Sequence, residues 1–307
     1  MDGAKLRRQV LDFLDESDTS PTYADTREIY EYLDWAAAIF VRETGCLHAT
    51  VTITTVEDQQ AYALPPSFLG LYVKDALDRF IVKYSDGDAT RWPHLVLFEE
   101  IWRRNETDSR WPTQVAVRET PESPDTETGT ATADGAASGG ECVLTDAAAD
   151  FTDTDVVYPR SIIHNTDDGS TGVVLEVTGA ASLRTALFGG TANEWTSGDA
   201  YVIEAANPFQ LYLDAPADED GHTIEVPYVT MPTPVYSDYG VWRLPLRSCR
   251  AICAGAASLF QIPKREYADS AQIGGPFAAE ISRIKRERGR MALRSGRGRR
   301  RITPIGG

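Results

Sequence analysis

The strongest constraint on the fold is an interruption of the apolar pattern near the middle of the chain. Residues 120–141, TPESPDTETGTATADGAASGGE, contain almost no large apolar side chain. Such a segment cannot bury enough surface to offset the entropy lost on ordering, so a flexible linker is predicted. Strand patterns stand on both sides of the interruption, PTQVAVRE (112–119) before it and NPFQLYLDAP (207–216) further on. Together they predict a separate module inserted into a β-hairpin.

Helical periodicity occurs at the two ends of the chain. Residues 3–17 and 26–44 are predicted to form helices, and Asp25 with Glu28 gives the second helix a capping-box-like start. Gly45 is predicted to end that helix. The segments ATVTITTV, QQAYALP, FLGLYVKDA and DRFIVKYS then predict strands, and HLVLFEEIWRRN (94–105) predicts a short helix.

The C-terminal part returns to helix after another strand pattern, HTIEVPYVTMP. A helix is predicted across LPLRSCRAICAGAASLFQI, and a last helix from about residue 277 to residue 293, ended by Gly296 and Gly298. The apolar face of the first of these helices carries Leu246, Cys249, Cys253, Ala256 and Phe260. We expect the helices from the two ends of the chain to pack together.

The predicted fold class is α+β. The N- and C-terminal helices form a helical body with a β-strand region. The insert is predicted to be a small β-barrel or sandwich, because it is rich in Thr, Val, Asp and Gly with closely spaced turns. The predicted boundaries are a body at 1–118 and 207–293, a flexible linker at 119–141, the inserted module at 142–206 and an extended basic tail at 294–307.

The sequence contains no recognisable catalytic or cofactor motif, such as GxSxG, GxGxxG or HExxH. The turn HNTDDGS is interpreted as solvated rather than cation-binding, and six dispersed tryptophans favour core and interface positions over a sugar platform.

The four histidines stand apart: His48, His94, His164 and His222. The cysteines are scattered, which favours buried reduced thiols over a disulfide framework or metal site: Cys46, Cys142, Cys249 and Cys253. We therefore expect no enzyme, catalytic residue, metal or cofactor, and no membrane span, because no window of about 18 apolar residues exists.

Charge is distributed unevenly along the chain. The net charge is −16, yet the last 27 residues carry ten basic groups and one acid, Glu287. Such asymmetry predicts that the C-terminal region has a partner of its own. Lysine is also scarce, at Lys5, Lys74, Lys83, Lys264 and Lys285. Acid-rich, lysine-poor composition is typical of proteins that work in molar salt, and a high-GC genome is the alternative explanation.

Several sequence words resemble head-to-tail adaptor (connector) proteins of tailed viruses. The segment EIYEYLDWAAAIFVRETGCLHATVTITTVEDQQAYALPPSFLGLYV matches their helix, alternating strand and Q-x-Y-x-L-P word. Later, IEVPYVTMPTP matches a strand that ends in tyrosine and prolines, and the closing helix pair is also similar. The matching residues are Gln60, Tyr62, Leu64, Pro65, Tyr228, Pro232 and Pro234.

The insert resembles small β modules appended to phage tail and connector proteins. Their pattern runs from D-F through N-x-T-D-G-S to G-G-T-x-N-x-W-x-x-G-D-x-Y-x-I. One departure is PRS (159–161), where a Gly-Asp turn is expected. The matching residues are Phe151, Asn165, Thr166, Asp168, Gly169, Gly172, Gly190, Thr191, Asn193, Trp195, Gly198, Asp199, Tyr201 and Ile203.

The resemblance implies a structural ring, usually of twelve copies in this family, beneath the portal of a tailed virus. The acid-rich, lysine-poor composition favours a haloarchaeal host. Such a ring extends the DNA channel, attaches nozzle or tail-fibre proteins, acts in DNA ejection and lies at the head–tail junction of a virion assembled in the host cytoplasm. Other tail components, such as a tube-completion or spike protein, and a glycan-binding or depolymerase protein are the alternatives. No membrane partner is expected.

The basic tail is expected to dock on the portal. The planar guanidinium group of arginine can form bidentate hydrogen bonds with carboxylates of the portal, and the isoleucines would fill small pockets on it. Non-specific contact with DNA phosphates in the channel and a solvated tail are the alternatives. The candidate portal-binding residues are Arg294, Arg297, Arg299, Arg300, Arg301, Ile302 and Ile305.

Overall fold

The computed structural model describes residues 1–15, 26–72, 81–102, 110–119, 126–152, 156–204, 209–263 and 267–297, with the backbone alone for 102, 267–269 and 289–297. The helices in chain order are α1 (Gly3–Leu14), α2 (Thr26–Thr44), α3 (Phe98–Trp102), α4 (Leu246–Gln261) and α5 (Tyr267–Arg297). The strands are β1 (His48–Thr54), β2 (Ala61–Ala63), β3 (Phe68–Leu71), β4 (Lys83–Ser85), β5 (Thr90–Arg91), β6 (His94–Leu95), β7 (Gln114–Glu119), β8 (Thr126–Thr130), β9 (Cys142–Thr145), β10 (Ile162–Asn165), β11 (Ser170–Gly179), β12 (Ser182–Phe188), β13 (Ala200–Glu204), β14 (Phe209–Leu213) and β15 (Thr223–Thr230). The predicted α+β class is confirmed.

Helices from both ends of the chain form one compact unit, the helical unit, made of residues 5–44 and the chain from Arg243 onward. This confirms that the two helical ends pack together. Phe40 of α2 packs on Phe277 of α5 with ring centroids 6.0 Å apart. A Cβ added at Gly255 of α4 would lie 2.7 Å from the Phe277 ring, so glycine permits the close approach of α4 and α5.

Two helix predictions are corrected. Leu246, placed on the apolar face of α4, is 58% exposed because it stands at the first residue of that helix, before the packed face begins. Helix α5 starts at Tyr267 rather than near residue 277, and it continues through Pro276 and Gly296. Hydrogen bonds between Ser258 and Ser270 hold its early part against α4, so packing overrides propensity.

Two sheets make up the β-strand region of the other compact unit, which contains residues 45–242. One sheet has the order β1-β15-β4-β5, with β3 also paired to β15, and the other has the order β2-β14-β7-β6. Their shared core includes Tyr62, Val82, Tyr84, Leu211, Ile224 and Val226. The predicted short helix at 94–105 is confirmed from Phe98 to Trp102, since His94 and Leu95 pair with β7 as β6. Residues 103–105 of that prediction lie outside the described residues.

The inserted module is a six-stranded sheet of order β8-β13-β10-β11-β12-β9. The sheet curls so that its two edges approach, and the Thr132 N–H donates to the carbonyl oxygen of Thr145 at 2.7 Å. Inside lies a core that includes Leu144, Phe151, Ile163, Trp195, Tyr201 and Ile203. The insert enters after β7 and leaves before β14, two antiparallel neighbours, so the predicted insertion into a hairpin is confirmed.

The flexible linker predicted at 119–141 is wrong wherever that stretch is described. Glu119 belongs to β7, and Thr126–Thr130 forms β8 at the edge of the module, paired with β13. The following residues bind back to the module, as in the N–H donation from Gly135 to the Trp195 carbonyl at 2.7 Å. Partner strands supply the order that this polar sequence lacks by itself, and the module therefore spans 126–204.

Candidate functional site

The basic C-terminal part of the chain begins on α5, where a buried carboxylate anchors its first arginine. Glu280 has a side chain only 3% exposed, and Arg283 donates to both of its oxygens at 2.9 and 2.7 Å. Arg247 of α4 adds an ion pair at 2.8 Å, and Ser248 donates a longer hydrogen bond. Hydrogen bonding from Arg283 lowers the pKa of Glu280, against the effect of burial. This cluster ties α5 to α4.

Further basic residues of α5 are also bound inside the helical unit. Arg283 reaches Glu287 at 2.6 Å, and Lys285 pairs with Glu43 near the end of α2. Arg288 donates to the backbone carbonyl of Thr44, the last residue of α2. A cation is favoured there because the last carbonyls of a helix lack intrahelical partners. These basic groups therefore stabilise the helical unit.

The part of the basic run that contains no acid starts beyond Arg288. Residues 289–307 contain six arginines and no acid. Arg290, Arg294 and Arg297 follow one another at spacings of four and three, which places these positions on one side of α5. The expected extended tail from residue 294 is corrected, because α5 continues through Arg297. The other candidate portal-binding residues, Arg299, Arg300, Arg301, Ile302 and Ile305, lie outside the described residues.

The HNTDDGS turn of the inserted module has a structural role. The Asp168 carboxylate accepts hydrogen bonds from the backbone N–H groups of Thr191, Ala192 and Asn193 at 2.9, 2.8 and 2.9 Å. Burial raises the pKa of Asp168, but these hydrogen bonds outweigh it, so the net shift is downward. Because its oxygens receive these donors, the interpretation of HNTDDGS as a turn without a cation role remains the better one.

Asn165 joins the same turn to a second one. Its side-chain oxygen accepts the backbone N–H groups of Asp167 and Asp168 at 3.1 and 3.0 Å. Its amide donates to the Glu194 carbonyl at 3.1 Å and to Asp199 at 2.8 Å. The residues that resemble phage modules thus cross-link the loops at one end of the curled sheet.

The module is docked on the segment that follows β15, residues 231–242, here called the connecting segment. Arg160 donates to the Pro232 carbonyl at 2.6 Å, the Asp238 N–H donates to the Gly139 carbonyl at 3.0 Å, and Ser237 hydrogen-bonds Glu141. Sequence reasoning missed this interface. The one indication of the interface in the sequence was PRS at 159–161, which replaces the expected Gly-Asp turn. Arg160 adopts a positive φ of 84° there, which glycine would take more easily.

A cleft of about 320 Å³ lies beside this docking contact. Arg184 stands in its wall and pairs with Glu176 at 3.1 Å and with Glu141 at 3.2 Å. Its lining contains Ser67, Pro159, Arg160, Leu175, Glu176, Arg184, Met231, Pro232, Thr233 and Pro234. Both arginines of the cleft already have partners, because Arg184 pairs with two glutamates and Arg160 donates to the Pro232 carbonyl. The cleft is therefore a weak candidate for binding a free anion.

The remaining candidate residues take structural positions. Three of the four free cysteines are buried, and burial raises the pKa of Cys142 to about 11 and also raises the pKa of Cys249 and Cys253. His222 is buried beside the Tyr84 hydroxyl at 2.9 Å, whereas His48 stacks on Tyr72 at 4.4 Å. Within the described ranges, no group of three His, Cys, Asp or Glu side chains could hold a metal ion.

Tryptophans occupy both core and surface positions. Trp195 and Trp242 are buried, while Trp35 and Trp92 are about half exposed. Among the helices described, none is long and apolar enough to cross a membrane. The chain matches no known protein-family profile. No curated protein matches it either.

Proposed function

We propose that this chain is a head-to-tail adaptor of a tailed virus, binding the portal through its C-terminal arginines. The observation that carries the proposal is the distribution of acids in the C-terminal region, where Glu280 and Glu287 accompany the basic residues up to Arg288 and no acid occurs in residues 289–307. Arginines and lysine up to residue 288 are held by acids and carbonyls of the helical unit. The six arginines after it have no acid among them, in a chain of net charge −16.

Portal docking explains this distribution better than solubility does. A run of arginines on a strongly acidic protein is attracted to the acidic surface of that same protein unless a partner competes for it. In molar salt the Debye length is about 3 Å, so only direct contacts retain their strength. Bidentate bonds between arginine and carboxylate are contacts of that kind. An acid-rich portal is therefore a suitable partner, and a ring of adaptors would present one such tail per copy.

The residues that carry the adaptor resemblance take structural positions. Tyr62 lies on β2, where its hydroxyl donates to the Gln59 carbonyl at 3.0 Å, and the Leu64 N–H donates to the Phe209 carbonyl at 2.9 Å. The Q-x-Y-x-L-P word thus contains strand β2 and pairs it with β14. Pro232 lies in the connecting segment that carries the inserted module. We propose that the end of α5 and the residues after it bind the portal and that the inserted module contacts nozzle, fibre or neighbouring subunits.

The test is reconstitution of the purified chain with the portal protein of the same virus in high salt. A stoichiometric ring complex, seen by light scattering and electron microscopy, is expected. Reversing Arg299, Arg300 and Arg301 to glutamate should raise the Kd for the portal at least about tenfold. A tenfold rise corresponds to a loss of about 1.4 kcal/mol of binding free energy. No association between the two intact proteins would overturn the adaptor proposal.

A matched control keeps the change of net charge constant. Reversal of the exposed residues Arg8, Arg42 and Arg286 also alters three arginines, all on the helical unit. This variant should bind the portal nearly as the unchanged chain does. Equal losses in the two variants would indicate a net-charge effect and contradict tail docking. If short DNA competes with the portal for the tail, the arginines contact DNA instead.

A further inference from the structure

The edge strand β1 presents a complete set of backbone groups to the outside of its sheet. Its inner side pairs with β15 over all seven residues, from His48 with Val229 to Thr54 with Thr223. Beyond its two ends, the Thr230 N–H donates to the Leu47 carbonyl and the Thr55 N–H donates to the His222 carbonyl. Backbone groups alternate between the two sides of a strand. Odd-numbered residues of β1 therefore bond to β15, and even-numbered ones face outward.

A second contact indicates the same alternation of backbone groups between the two sides of β1. Thr50 lies opposite Pro227, and the Pro227 carbonyl accepts the Tyr72 N–H at 3.0 Å on the far side of β15. Pro227 therefore does not bond to Thr50. Within the described part of the chain, no strand pairs with the outer edge of β1. The outward backbone groups belong to His48, Thr50, Thr52 and Thr54, all of which are exposed.

This edge lacks the usual protection against pairing. Natural edge strands are commonly short, charged, interrupted by proline or bulged, because an open edge is a template for another strand. The β1 sequence HATVTIT has no acid, lysine, arginine or proline, and its register with β15 contains no bulge. The other edge of the same sheet, β5, is two residues long and includes Arg91. In the module, the edge strand β8 carries Glu127.

We propose that β1 is a self-association edge, on which β1 of a second copy of this chain pairs antiparallel about a two-fold axis at Val51. In this register Thr50 faces Thr52 of the partner subunit, and His48 faces Thr54 of the partner subunit. Every outward N–H and carbonyl of the four residues then has a partner. Registers displaced from this one leave outward groups unpaired at the strand ends, so the two-fold register makes the most hydrogen bonds.

The side chains also suit a second copy. Thr–Thr pairs across strands are favourable, and Thr50 with Thr52 forms two such pairs by symmetry. On the opposite face, Ala49, Val51 and Ile53 pack against the β-region core but remain only partly buried. Pairing would bring Val51 against Val51 of the partner subunit and extend this apolar face across the contact. A charged peptide would gain neither feature, so a copy of the same neutral strand is the favoured occupant.

This inference is independent of the adaptor proposal. A two-fold contact joins copies in pairs, whereas a ring of one layer closes through a head-to-tail contact. The test uses the purified full chain without portal, so either proposal can fail alone. Light scattering should give twice the 33.7 kDa mass of one chain at high protein concentration.

Cysteine cross-linking tests the register. In a Cys46→Ser background, Val51→Cys should form an intermolecular disulfide, since residues on the axis would have Cα atoms about 4.5 Å apart. The matched control is Thr54→Cys in the same background. Two copies of residue 54 would lie six strand positions apart, about 20 Å, and should not cross-link. Equal cross-linking of both variants would overturn the two-fold register.

Charge placed on the edge tests the surface itself. The double variant Thr50→Lys with Thr52→Lys sets lysines opposite each other twice and should be monomeric where the unchanged chain is dimeric. Thr128→Lys with Thr130→Lys makes the same change at exposed positions of β8 and should remain dimeric. An unchanged chain that stays monomeric and a Val51→Cys chain that stays unlinked would overturn the proposal. The proposal would also be overturned if the β8 variant lost the dimer while the β1 variant kept it.

Discussion

Glu119, the last residue of β7, lies directly opposite Phe209, the first residue of β14. The inserted module occupies the chain between these two neighbours, so its entry and exit points are adjacent in the sheet. Phe209 also packs against Phe68 with ring centroids 5.4 Å apart, which anchors the exit point in the β-region core. The β7–β14 pair does not need the module to bring its strands together.

Deleting residues 120–208 and joining Glu119 to Phe209 through a short Asn-Gly turn should leave a folded protein. Asn-Gly turns match the twist of antiparallel strands, so the β7–β14 pair would close as an ordinary hairpin. The deletion also removes Arg160 and Glu141, which bind the connecting segment, and should lower the free energy of unfolding by a few kcal/mol, about 1 per lost hydrogen bond. Cooperative denaturant unfolding with native-like circular dichroism is the expected observation. A deletion chain that binds hydrophobic dyes and lacks a cooperative transition would contradict this independence.

Substitutions of Arg160 should separate backbone strain from docking. Its φ of 84° strains any residue with a Cβ, while its side chain binds the Pro232 carbonyl. Arg160→Ala loses the contact and keeps the strain, whereas Arg160→Gly loses the contact and relieves the strain. The glycine variant should therefore be about 1 kcal/mol more stable than the alanine variant. Urea denaturation of both variants measures the difference, and equal stabilities would show that the strain is negligible.

Trp195 should contribute strongly to the stability of the inserted module. It is 1% exposed, and its indole N–H donates to the Thr185 hydroxyl at 3.0 Å. Trp195→Ala should cost about 3–5 kcal/mol through the cavity it leaves. Trp195→Phe keeps most of the volume but loses the hydrogen bond, and should cost about 1–2 kcal/mol. The control Trp92→Ala removes a tryptophan that is 52% exposed and should cost less than about 0.5 kcal/mol in thermal or denaturant unfolding.

Much of the fold was predictable because local signals and tertiary packing agree. Helix α2 has the predicted bounds of 26–44, and Gly45 ends it with a φ of 55° that suits glycine. The alternation in β7 and β14 likewise predicted two strands, and their pairing confirms the hairpin around the insertion. In these elements the periodic apolar face of the sequence is also the buried face of the fold.

The unpredicted features depend on contacts between distant residues. Strand β8 has the sequence TETGT, and its hydrogen bonds to β13, rather than its own side chains, make it a strand. Residues around Pro276 are helical because α5 packs along α4. The C-terminal basic run appeared uniform in sequence, whereas Glu280 and Glu43 bind part of it within the helical unit. No sequence pattern indicated these pairings, since the partners come from other helices or a buried position.

The stability of the helical unit should depend on pH through Glu280. Its pKa is lowered from an ordinary value of 4.5, chiefly by hydrogen bonding from Arg283. A folded-state pKa below the unfolded one means that the stabilisation is complete above the unfolded pKa and is lost as pH falls through the folded value. Acid should therefore weaken this unit as the pH falls below the ordinary value of 4.5, and neutral to alkaline pH should not change this contribution.

Glu280→Gln removes the charge while keeping the shape of the side chain. At neutral pH it should lower the free energy of unfolding by about 1–3 kcal/mol, because two arginines lose a nearly buried anionic acceptor. The difference from the unchanged chain should shrink as pH falls, since protonated Glu280 resembles glutamine. The control is Glu31→Gln, which removes an exposed pair with Arg27 on α2 and should cost no more than about 0.5 kcal/mol. Denaturant unfolding between about pH 3 and 7, followed by helical circular dichroism, measures both variants, and a Glu280→Gln penalty that stays constant across this range would contradict the predicted linkage.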